Sequence, residues 1–362
     1  MSEKDNLMPG KHFPTSMTSP DREEILAELA KYGFEAVGDI RLIDTSHDAD
    51  DIRLNYIIDK KWVLRFCNAP DMTENRLREM NRLIDRYIRF GLKCPRFLTD
   101  QQDVFFHEWT RGSVDPRDRL VCYLAEYIDL PTAYELKLDP ETEEEVWLEV
   151  LDSVAGFAEA NRDVDLSGTF GMYSLFDLSP FDIPLGIDEK QQNFNSLCEE
   201  LRKIGETALV EKLEAKHTEI REKIRSVYKD LPHCVFQADE NLSNVLVDEN
   251  HHMAGLIDFN LAGTEVIVNQ FANLGGGFKE EVEEPIGAKA RMDYAMECYK
   301  KYQGRMLKIY HASPLELQAI EWYSWIALVA GWPQVCFFLD GLKKETLRNE
   351  ILELLALLAE QE

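Results

Sequence analysis

The chain has 362 residues, of which 45% are hydrophobic and 30% charged, a composition typical of folded globular proteins. Its 67 Asp and Glu residues outnumber its 40 Lys and Arg residues, and the resulting net charge of −27 disfavours binding to nucleic acids or to anionic membrane surfaces. The charge is uneven, because the first 120 residues carry −3 and the remaining residues carry −24.

The ends and the cysteines indicate a cytoplasmic protein. The first twenty residues contain no apolar run of the signal-peptide type, and the apolar stretch 326–333 is too short to span a bilayer. The seven cysteines form no CxxC pair and lie among apolar neighbours, which favours buried thiols in a reducing compartment over a zinc site. The sequence gives no indication of the oligomeric state.

The first third of the chain predicts a short helix and then mainly strands. Ser19 and Pro20 supply a cap and a first-turn proline for an amphipathic helix at 21–31, and Asp59-Lys60 forms a tight turn between two strands. A longer helix begins at Thr73 and ends before Gly91. The predicted strands are at 35–45, 52–58, 61–67, 104–109 and 121–127.

The rest of the chain predicts mainly helices. Helical spacing occurs at 141–161, 190–229, 287–311, 314–330 and 343–360, and the 190–229 stretch is either one long helix or a bent pair. Residues 163–187 indicate an irregular loop, and 244–248 with 253–259 indicate a strand pair. We therefore predict an α+β fold with three regions: an extension and helix at 1–34, a β-rich region at 35–126, and a helical region at 127–362.

One stretch has the residue pattern that phosphoryl transfer requires. Asp239 is followed five residues later by Asn244, and Asp258 comes after the next apolar strand. A carboxylate can accept the proton of an acceptor hydroxyl, while an Asn and a second Asp are oxygen ligands for Mg²⁺. The alternative is a hairpin whose Asp and Asn residues only stabilise turns. Three such residues at this spacing favour the catalytic interpretation.

This stretch resembles the aminoglycoside phosphotransferase and choline kinase superfamily, which has a two-lobed protein-kinase-like fold. The family's H-x-D-x-x-x-x-N loop and its following Asp-Phe/Leu-Gly triplet match 237–244 and 258–260 of this chain. The resemblance implies that Asp239 is the catalytic base and that Asn244 and Asp258 bind the metal. Gln237 replaces the usual His as a structural residue of the loop, and Asn260 replaces the usual Gly.

The resemblance extends upstream to a nucleotide-binding region. It places Arg65 where a strand Lys usually contacts phosphate, and favours Glu79 as its helical partner. The alternative is that Glu79 belongs to a solvated face with Arg76 and Arg82. The loop at 44–51 lacks glycine, so its backbone amides cannot approach phosphate freely. Either the Ser46 side chain compensates by binding phosphate, or Ser46 serves only as a turn residue. Glu126 and Ile128 match the stretch that binds adenine.

An aromatic helix in the last part of the chain is a candidate acceptor pocket. Glu321 and Trp325 are four residues apart and Trp322 lies between them, a combination that suits an amine or a quaternary ammonium group. Core packing of the same rings is an equally good interpretation.

Together these features predict an ATP-dependent kinase with Mg²⁺ as cofactor, with GTP left open as the donor. Its acceptor would be a hydroxylated metabolite or an aminoglycoside-like antibiotic, with a mild preference for a cation. The alternative is a nucleotide-binding regulatory protein of the pseudokinase type on the same fold, which Gln237, Arg65 and the glycine-free loop would favour. A protein kinase is a weaker option, because no Ala-Pro-Glu segment follows Asp258.

Overall fold

The computed structural model describes residues 19–46, 52–68, 72–110, 120–164, 169–180, 182–280 and 284–361. The chain divides into two compact units. Unit one runs to Pro131 and includes Ala254–Ile257, and unit two contains Thr132–Met253 and Asp258–Glu362.

Unit one is built on an antiparallel sheet with the order β1-β2-β3-β6-β4, in which β5 also pairs with β6. Two helices accompany this sheet. The elements are α1 (Arg22–Lys31), β1 (Ile40–Asp44), β2 (Arg53–Ile58), β3 (Trp62–Cys67), α2 (Glu74–Phe90), β4 (Phe97–Leu98), β5 (Phe106–Trp109) and β6 (Leu120–Glu126). Leu29 of α1 packs with Ile58, Leu64 and Leu124 of the sheet in the main apolar cluster of this unit.

Local sequence explains where these elements begin and end. Asp59 and Lys60 both adopt positive φ, as a two-residue hairpin turn between twisted strands requires. The Thr73 side chain accepts the Arg76 N–H at the start of α2, and Gly91 ends the helix with φ +113. The cap of α1 is Asp21, which forms a capping box with Glu24, so the prediction of a cap from Ser19-Pro20 was wrong.

Unit two is mainly helical. Its helices are α3 (Ala133–Leu136), α4 (Pro140–Ala160), α5 (Glu189–Lys203), α6 (Thr207–Val227), α7 (Ile267–Leu274), α8 (Ala288–Ile309), α9 (Pro314–Ala330), α10 (Trp332–Lys343) and α11 (Arg348–Glu360), with a 3₁₀ turn at Tyr228–Asp230. The predicted 190–229 helix is thus a pair that breaks at Gly205, where φ is +93. Helix α7 packs on α9, and both are largely buried.

Four short strands carry the loops of chemical interest. Strands β7 (His233–Phe236) and β10 (Gly263–Val266) pair antiparallel, with Phe236 opposite Gly263. Strands β8 (Val245–Val247) and β9 (Met253–Leu256) form a second two-stranded sheet. The β8–β9 pair agrees with the predicted hairpin, whereas β7, β10, α7 and α10 were not predicted.

One apolar stretch and the cysteines complete the fold. Residues Pro314–Lys343 are long and apolar enough to cross a membrane by length and composition alone. Gly331 divides them into α9 and α10, and 61% of the most apolar window is buried inside the protein, as in the core helices of soluble proteins. All seven cysteines are free, and five of them are buried.

Candidate active site

The loop between β7 and β8 and the segment that follows β9 carry the predicted catalytic side chains. Asp239 is half-buried and Asn244 is 7% exposed. Two backbone positions here are left-handed, Ala238 with φ +66 and Asp258 with φ +55. A residue other than glycine costs free energy in this region, and such strain is concentrated at functional sites. The fold therefore holds both chain segments in conformations that they would not adopt alone.

Gln237 connects these two segments. Its side chain is fully buried. The Gln237 Oε1 atom accepts the Asp239 N–H at 2.8 Å, and its Nε2 donates to the Asp258 carbonyl at 2.6 Å. One amide thus fixes the backbone of both acidic residues. The chemistry needs one donor and one acceptor at this position, and a glutamine amide supplies both.

The side chain of Asn244 orients Asp239. Asn244 Nδ2 donates to the Asp239 backbone carbonyl at 2.9 Å and to Asp239 Oδ2 at 2.7 Å. Asn241 Nδ2 donates to the other carboxylate oxygen, Oδ1, at 2.7 Å. The carboxylate therefore points in a direction set by two neighbouring amides, while it remains partly open to solvent.

The oxygen atoms of Asn244 and Asp258 fit a magnesium ion whose remaining ligands come from a substrate. Because Asn244 uses its amide nitrogen to hold Asp239, its amide oxygen is left for a ligand. Asp258 accepts one long hydrogen bond, from the Asn260 N–H at 3.4 Å. Within the described residues no set of three His, Cys, Asp or Glu side chains could hold a metal. Mg²⁺ is commonly bound by one or two carboxylates together with substrate phosphates.

A buried acidic residue that we did not predict follows Asp239. Glu240 is 2% exposed and accepts a hydrogen bond from Gln270 Nε2 of α7 at 2.9 Å. Burial raises the pKa of Glu240 to about 7, and the charge of Asp239 adds to the shift. The sequence could have indicated this pair, because Glu240 lies beside Asp239 and Gln270 lies within an apolar run. A buried polar side chain at either position needs a hydrogen-bond partner.

The candidate phosphate-binding pair lies in unit one. Arg65 is in the middle of β3, opposite Tyr123 of β6, and is half-buried. Glu79 of α2 forms an ion pair with Arg82 at 3.0 Å, one turn further along the helix. The structure thus places Glu79 in the helix-surface pair that we gave as the alternative. The role of Arg65 and Glu79 towards a nucleotide stays a prediction.

The other candidate nucleotide residues take part in turns and strand ends. Ser46 is buried, and its Oγ accepts the Arg53 N–H at 2.9 Å, closing the β1–β2 connection. Residues 47–51 of the glycine-free loop lie outside the described residues. Glu126 accepts the Arg96 N–H at 3.0 Å, and the Ile128 carbonyl accepts the Leu130 N–H at 2.8 Å.

The predicted acceptor pocket on α9 does not come together on one face. Trp325 is 5% exposed, and its indole N–H donates to the Leu358 carbonyl of α11 at 3.0 Å. Glu321 is exposed and Trp322 is half-buried. The Trp325 ring is therefore part of the packing between α9 and α11, as the alternative interpretation expected.

Comparison with known proteins gives a family and several structural relatives. A sequence model of APH, described as a phosphotransferase enzyme family, matches residues 46–303, more than half of the chain. Comparison with curated protein sequences gives no match.

The structure of a microcompartment-associated aminopropanol kinase is similar at a TM-score of 0.55 and 12% identity, covering 94% of this chain and 95% of that chain. Amicoumacin kinase hAmiN, in complex with AMP-PNP, Ca²⁺ and Ami, is similar at 0.50 and 9% identity, covering 94% of each chain. The streptomycin–ATP–APH(2″)-IIa complex has a TM-score of 0.46 at 16% identity, covering 95% of this chain and 99% of that chain. The first two structures confirm the predicted kinase-like α+β fold.

Proposed function

The chain belongs to the phosphotransferase enzyme family, and from that premise we propose that it transfers the γ-phosphate of ATP to a hydroxyl group of a small molecule, with Asp239 as the base. Family membership makes the protein a phosphotransferase. The identity of the donor, the acceptor and the catalytic residues is our proposal.

The observation that carries this proposal is the network around Gln237. It joins the backbone of Asp239 to that of Asp258 through one buried amide, while Asn244 orients the Asp239 carboxylate. A proton acceptor and two oxygen ligands are therefore held together by hydrogen bonds, as preorganised catalysis requires. Turn stabilisation alone would not require a buried side chain that bridges two separate loops.

In the proposed reaction Asp239 acts on the acceptor hydroxyl. A carboxylate oxygen of Asp239 takes the hydroxyl proton as the acceptor oxygen forms a bond to the γ-phosphorus. The bond between that phosphorus and the β–γ bridging oxygen breaks, and ADP leaves with the electron pair. The products are ADP, a phosphate monoester and a proton, which Asp239 then releases to solvent.

Asn244 and Asp258 are the residues that would hold Mg²⁺. The amide oxygen of Asn244 and the carboxylate of Asp258 are hard oxygen donors of the kind this ion prefers. When bound, the metal supplies positive charge against the phosphate oxygens. The amicoumacin kinase structure holds AMP-PNP and Ca²⁺, and for this chain we propose ATP and Mg²⁺, with Arg65, Glu79, Ser46, Glu126 and Ile128 as candidates for nucleotide contact.

A screen of hydroxylated acceptors tests the proposed function. ATP consumption by the wild type is measured against sugars, amino alcohols, hydroxy amino acids and aminoglycosides. For any acceptor that is turned over, we expect Asp239→Asn to lower kcat by about a hundredfold or more, because the proton acceptor is lost. Binding of Mg²⁺ and a fluorescent ATP analogue should change by less than threefold, since Asn keeps the shape of the loop.

Glu249→Gln is the matched control. Glu249 is an exposed carboxylate in the β8–β9 hairpin, so its loss should leave kcat unchanged. Equal turnover by the wild type and Asp239→Asn would overturn the assignment of the base. Nucleotide binding without turnover of any acceptor would favour the alternative of a regulatory protein without efficient transfer.

A further inference from the structure

Glu240 and Gln270 form a polar pair inside the protein. Glu240 is the residue directly after Asp239 in the β7–β8 loop, and Gln270 lies in the middle of α7. Glu240 is 2% exposed and Gln270 is fully buried, and Gln270 Nε2 donates to Glu240 Oε2 at 2.9 Å. Polar groups at this depth cost free energy unless each atom is hydrogen-bonded, so every unpaired atom in the pair needs a physical reason.

Helix α7 is a firm support for this hydrogen bond. The helix is almost completely buried and packs on α9. Asn269, the neighbour of Gln270, donates from Nδ2 to the Tyr173 carbonyl at 2.8 Å and to Glu265 Oε1 at 3.0 Å. Packing and side-chain hydrogen bonds therefore hold α7 in place, and the Gln270 amide connects the β7–β8 loop to it.

Two oxygen atoms of the pair lack a hydrogen-bond donor. Glu240 Oε1 and Gln270 Oε1 have no partner among the residues that the structure describes. An ionised carboxylate and an amide oxygen can only accept, so the ionised pair leaves both oxygens unsatisfied. A protonated carboxyl carries one O–H donor, and Gln270 Oε1 is the free acceptor on the amide that Glu240 already contacts. One proton on Glu240 therefore allows the two groups to share two hydrogen bonds instead of one.

The surroundings of Glu240 favour its protonated form. Burial, with a further contribution from the charge of Asp239 in the same loop, raises the pKa of Glu240 to about 7. Helix α7 contains no ionisable side chain. Tyr173 lies close enough that the charge of Glu240 raises the pKa of its hydroxyl. The Lys190 ammonium, 4.9 Å from the centre of the Tyr173 ring, donates its hydrogen bond to a side chain of α7 rather than to Glu240. Together these neighbours disfavour a second negative charge beside Asp239.

We propose that Glu240 is a positioning residue that, in its protonated form, holds the β7–β8 loop against α7 and thereby keeps Asp239 in place for the reaction. This inference rests on the proposed function, because it concerns the base of that reaction. Loss of the proton to solvent removes the donor to Gln270 and places a buried negative charge beside Asp239. The loop then loses one hydrogen bond to α7, and turnover slows because the base is less well placed.

The pH dependence of turnover tests this role in the full-length protein. With an acceptor identified by the screen, we expect the kcat of the wild type to fall by about fivefold or more between pH 6 and pH 8.5, because Glu240 loses its proton. Glu240→Gln carries an N–H donor at every pH, so it can pair twice with Gln270, and its kcat should change by less than about twofold over the same range. Glu249→Gln, the matched surface control, should keep the profile of the wild type.

A double-mutant cycle tests whether Glu240 acts through Gln270. Glu240→Leu leaves the buried Gln270 amide without its partner, and Gln270→Leu does the same to Glu240, so each should lower kcat at pH 6 by about tenfold or more. The double variant replaces both polar groups by apolar ones of similar size and should recover part of this activity. Glu240→Gln should retain more activity than Glu240→Leu. The midpoint of thermal unfolding of each variant identifies any general loss of stability.

Three results would overturn the inference and leave the proposed function intact. They are a fall of kcat at high pH that persists in Glu240→Gln, a wild-type profile without that fall, and a loss in the double variant equal to the product of the single losses. If no acceptor is turned over, the proposed function fails, and infrared spectra decide the protonation of Glu240 separately. The wild type at pH 6 should show a carboxylic-acid carbonyl band that is missing from Glu240→Gln. Identical bands in both proteins would contradict the inference.

Discussion

At the scale of single residues, Gln237 is the most informative departure from the family pattern. A histidine usually occupies this place, and its replacement could indicate lost activity. The structure shows a buried amide that donates to the Asp258 carbonyl and accepts from the Asp239 N–H. The substitution therefore preserves one donor and one acceptor, and the local geometry is compatible with an active site.

Substitution of Gln237 separates this positioning role from general stability. Gln237→Ala removes both hydrogen bonds, and we expect kcat to fall by about tenfold to a hundredfold, because a small displacement of a catalytic group has effects of this size. Gln237→His offers a donor and an acceptor again and should recover most of the activity. Turnover and nucleotide binding are measured for both variants.

The result that would contradict this role of Gln237 is a kcat for Gln237→Ala close to that of the wild type. Equal losses in Gln237→Ala and Gln237→His, with thermal stability reduced to the same extent in both, would indicate a purely structural residue. Recovery by His alone distinguishes positioning from packing, since the two replacements differ in their hydrogen-bonding groups.

The spacing of polar residues in the sequence identified some residues of the candidate site and gave no signal for other buried polar contacts. Asp239, Asn244 and Asp258 stand out because polar residues at apolar strand ends have a fixed spacing. Glu265 and Tyr173 gave no such signal, because they lie more than ninety residues apart in the sequence, although the Asn269 side chain donates to both of them in the structure. The sequence could not distinguish whether Trp325 binds a ligand or packs in the core, because a buried aromatic ring shows the same helical spacing in both cases.

At the scale of elements, strand β10 holds the loop that carries Tyr173. Phe170 forms a parallel bridge with Thr264, the Gly171 N–H donates to the Thr264 carbonyl at 2.8 Å, and the Thr264 N–H donates to the Thr169 carbonyl at 2.7 Å. A Cβ on Gly263 would lie 2.5 Å from the backbone of Phe170 and Gly171. Only glycine allows this approach of the two backbones.

Alanine substitutions of two glycines test the docking of this loop. Gly263→Ala must displace rigid backbone, and we expect a loss of about 1–3 kcal/mol in the free energy of unfolding, the usual cost of overpacking. Gly304→Ala is the matched control within α8, where nothing lies within 4 Å of the added Cβ. It should stabilise the protein by about 0.5–1 kcal/mol. Urea denaturation measures both, and equal effects of the same sign would contradict the close approach.

Long elements with clear ends were predictable, and short or fully buried ones were not. Helices α2 and α9 each begin after a side-chain cap, Thr73 or Ser313. Both helices end close to the predicted positions. Helix α7 is almost completely buried and spans only Ile267–Leu274, so it is too short to show a clear helical period in the sequence. Pro333 lies in the first turn of α10, where proline is tolerated.

At the scale of the whole molecule, one buried histidine contributes to the dependence of stability on pH. His217 of α6 is 3% exposed, stacks on Phe194 at 3.9 Å between ring centres, and has no hydrogen-bond partner at Nε2 within the described residues. Burial, followed by the charge of Arg221, lowers the pKa of His217 from 6.5 to about 3. The folded protein therefore keeps this ring neutral where the unfolded chain would protonate it.

His217 should make the protein less stable in acid. Above pH 6.5 the ring is neutral in both states and has no pH-dependent effect, whereas between pH 6.5 and about 3 only the unfolded state binds the proton. Stability then falls with decreasing pH, by about 2 kcal/mol between neutrality and pH 5. His217→Gln should reduce this dependence, while His251→Asn, at an exposed turn with φ +64, should not. Parallel curves for wild type and His217→Gln would refute the assignment.

The uneven net charge is consistent with the site assignment. The part of the chain after residue 120 carries −24 and contains Asp239 and Asp258. A field of this sign attracts Mg²⁺ and a cationic acceptor, although most of the charge lies on exposed helices and serves solubility. An excess of acid that at first disfavours phosphate binding is compatible with phosphate chemistry once a metal is bound.

The most direct test of the central claim is phosphorus NMR of the reaction products. With Mg²⁺, ATP and an acceptor identified by the screen, we predict that the wild type produces ADP and a new phosphate monoester in equal amounts. We predict that Asp239→Asn, with nucleotide binding preserved, produces neither at a comparable rate. Formation of ADP with only inorganic phosphate, or the same yield of monoester from Asp239→Asn, would contradict phosphoryl transfer to a hydroxyl through Asp239.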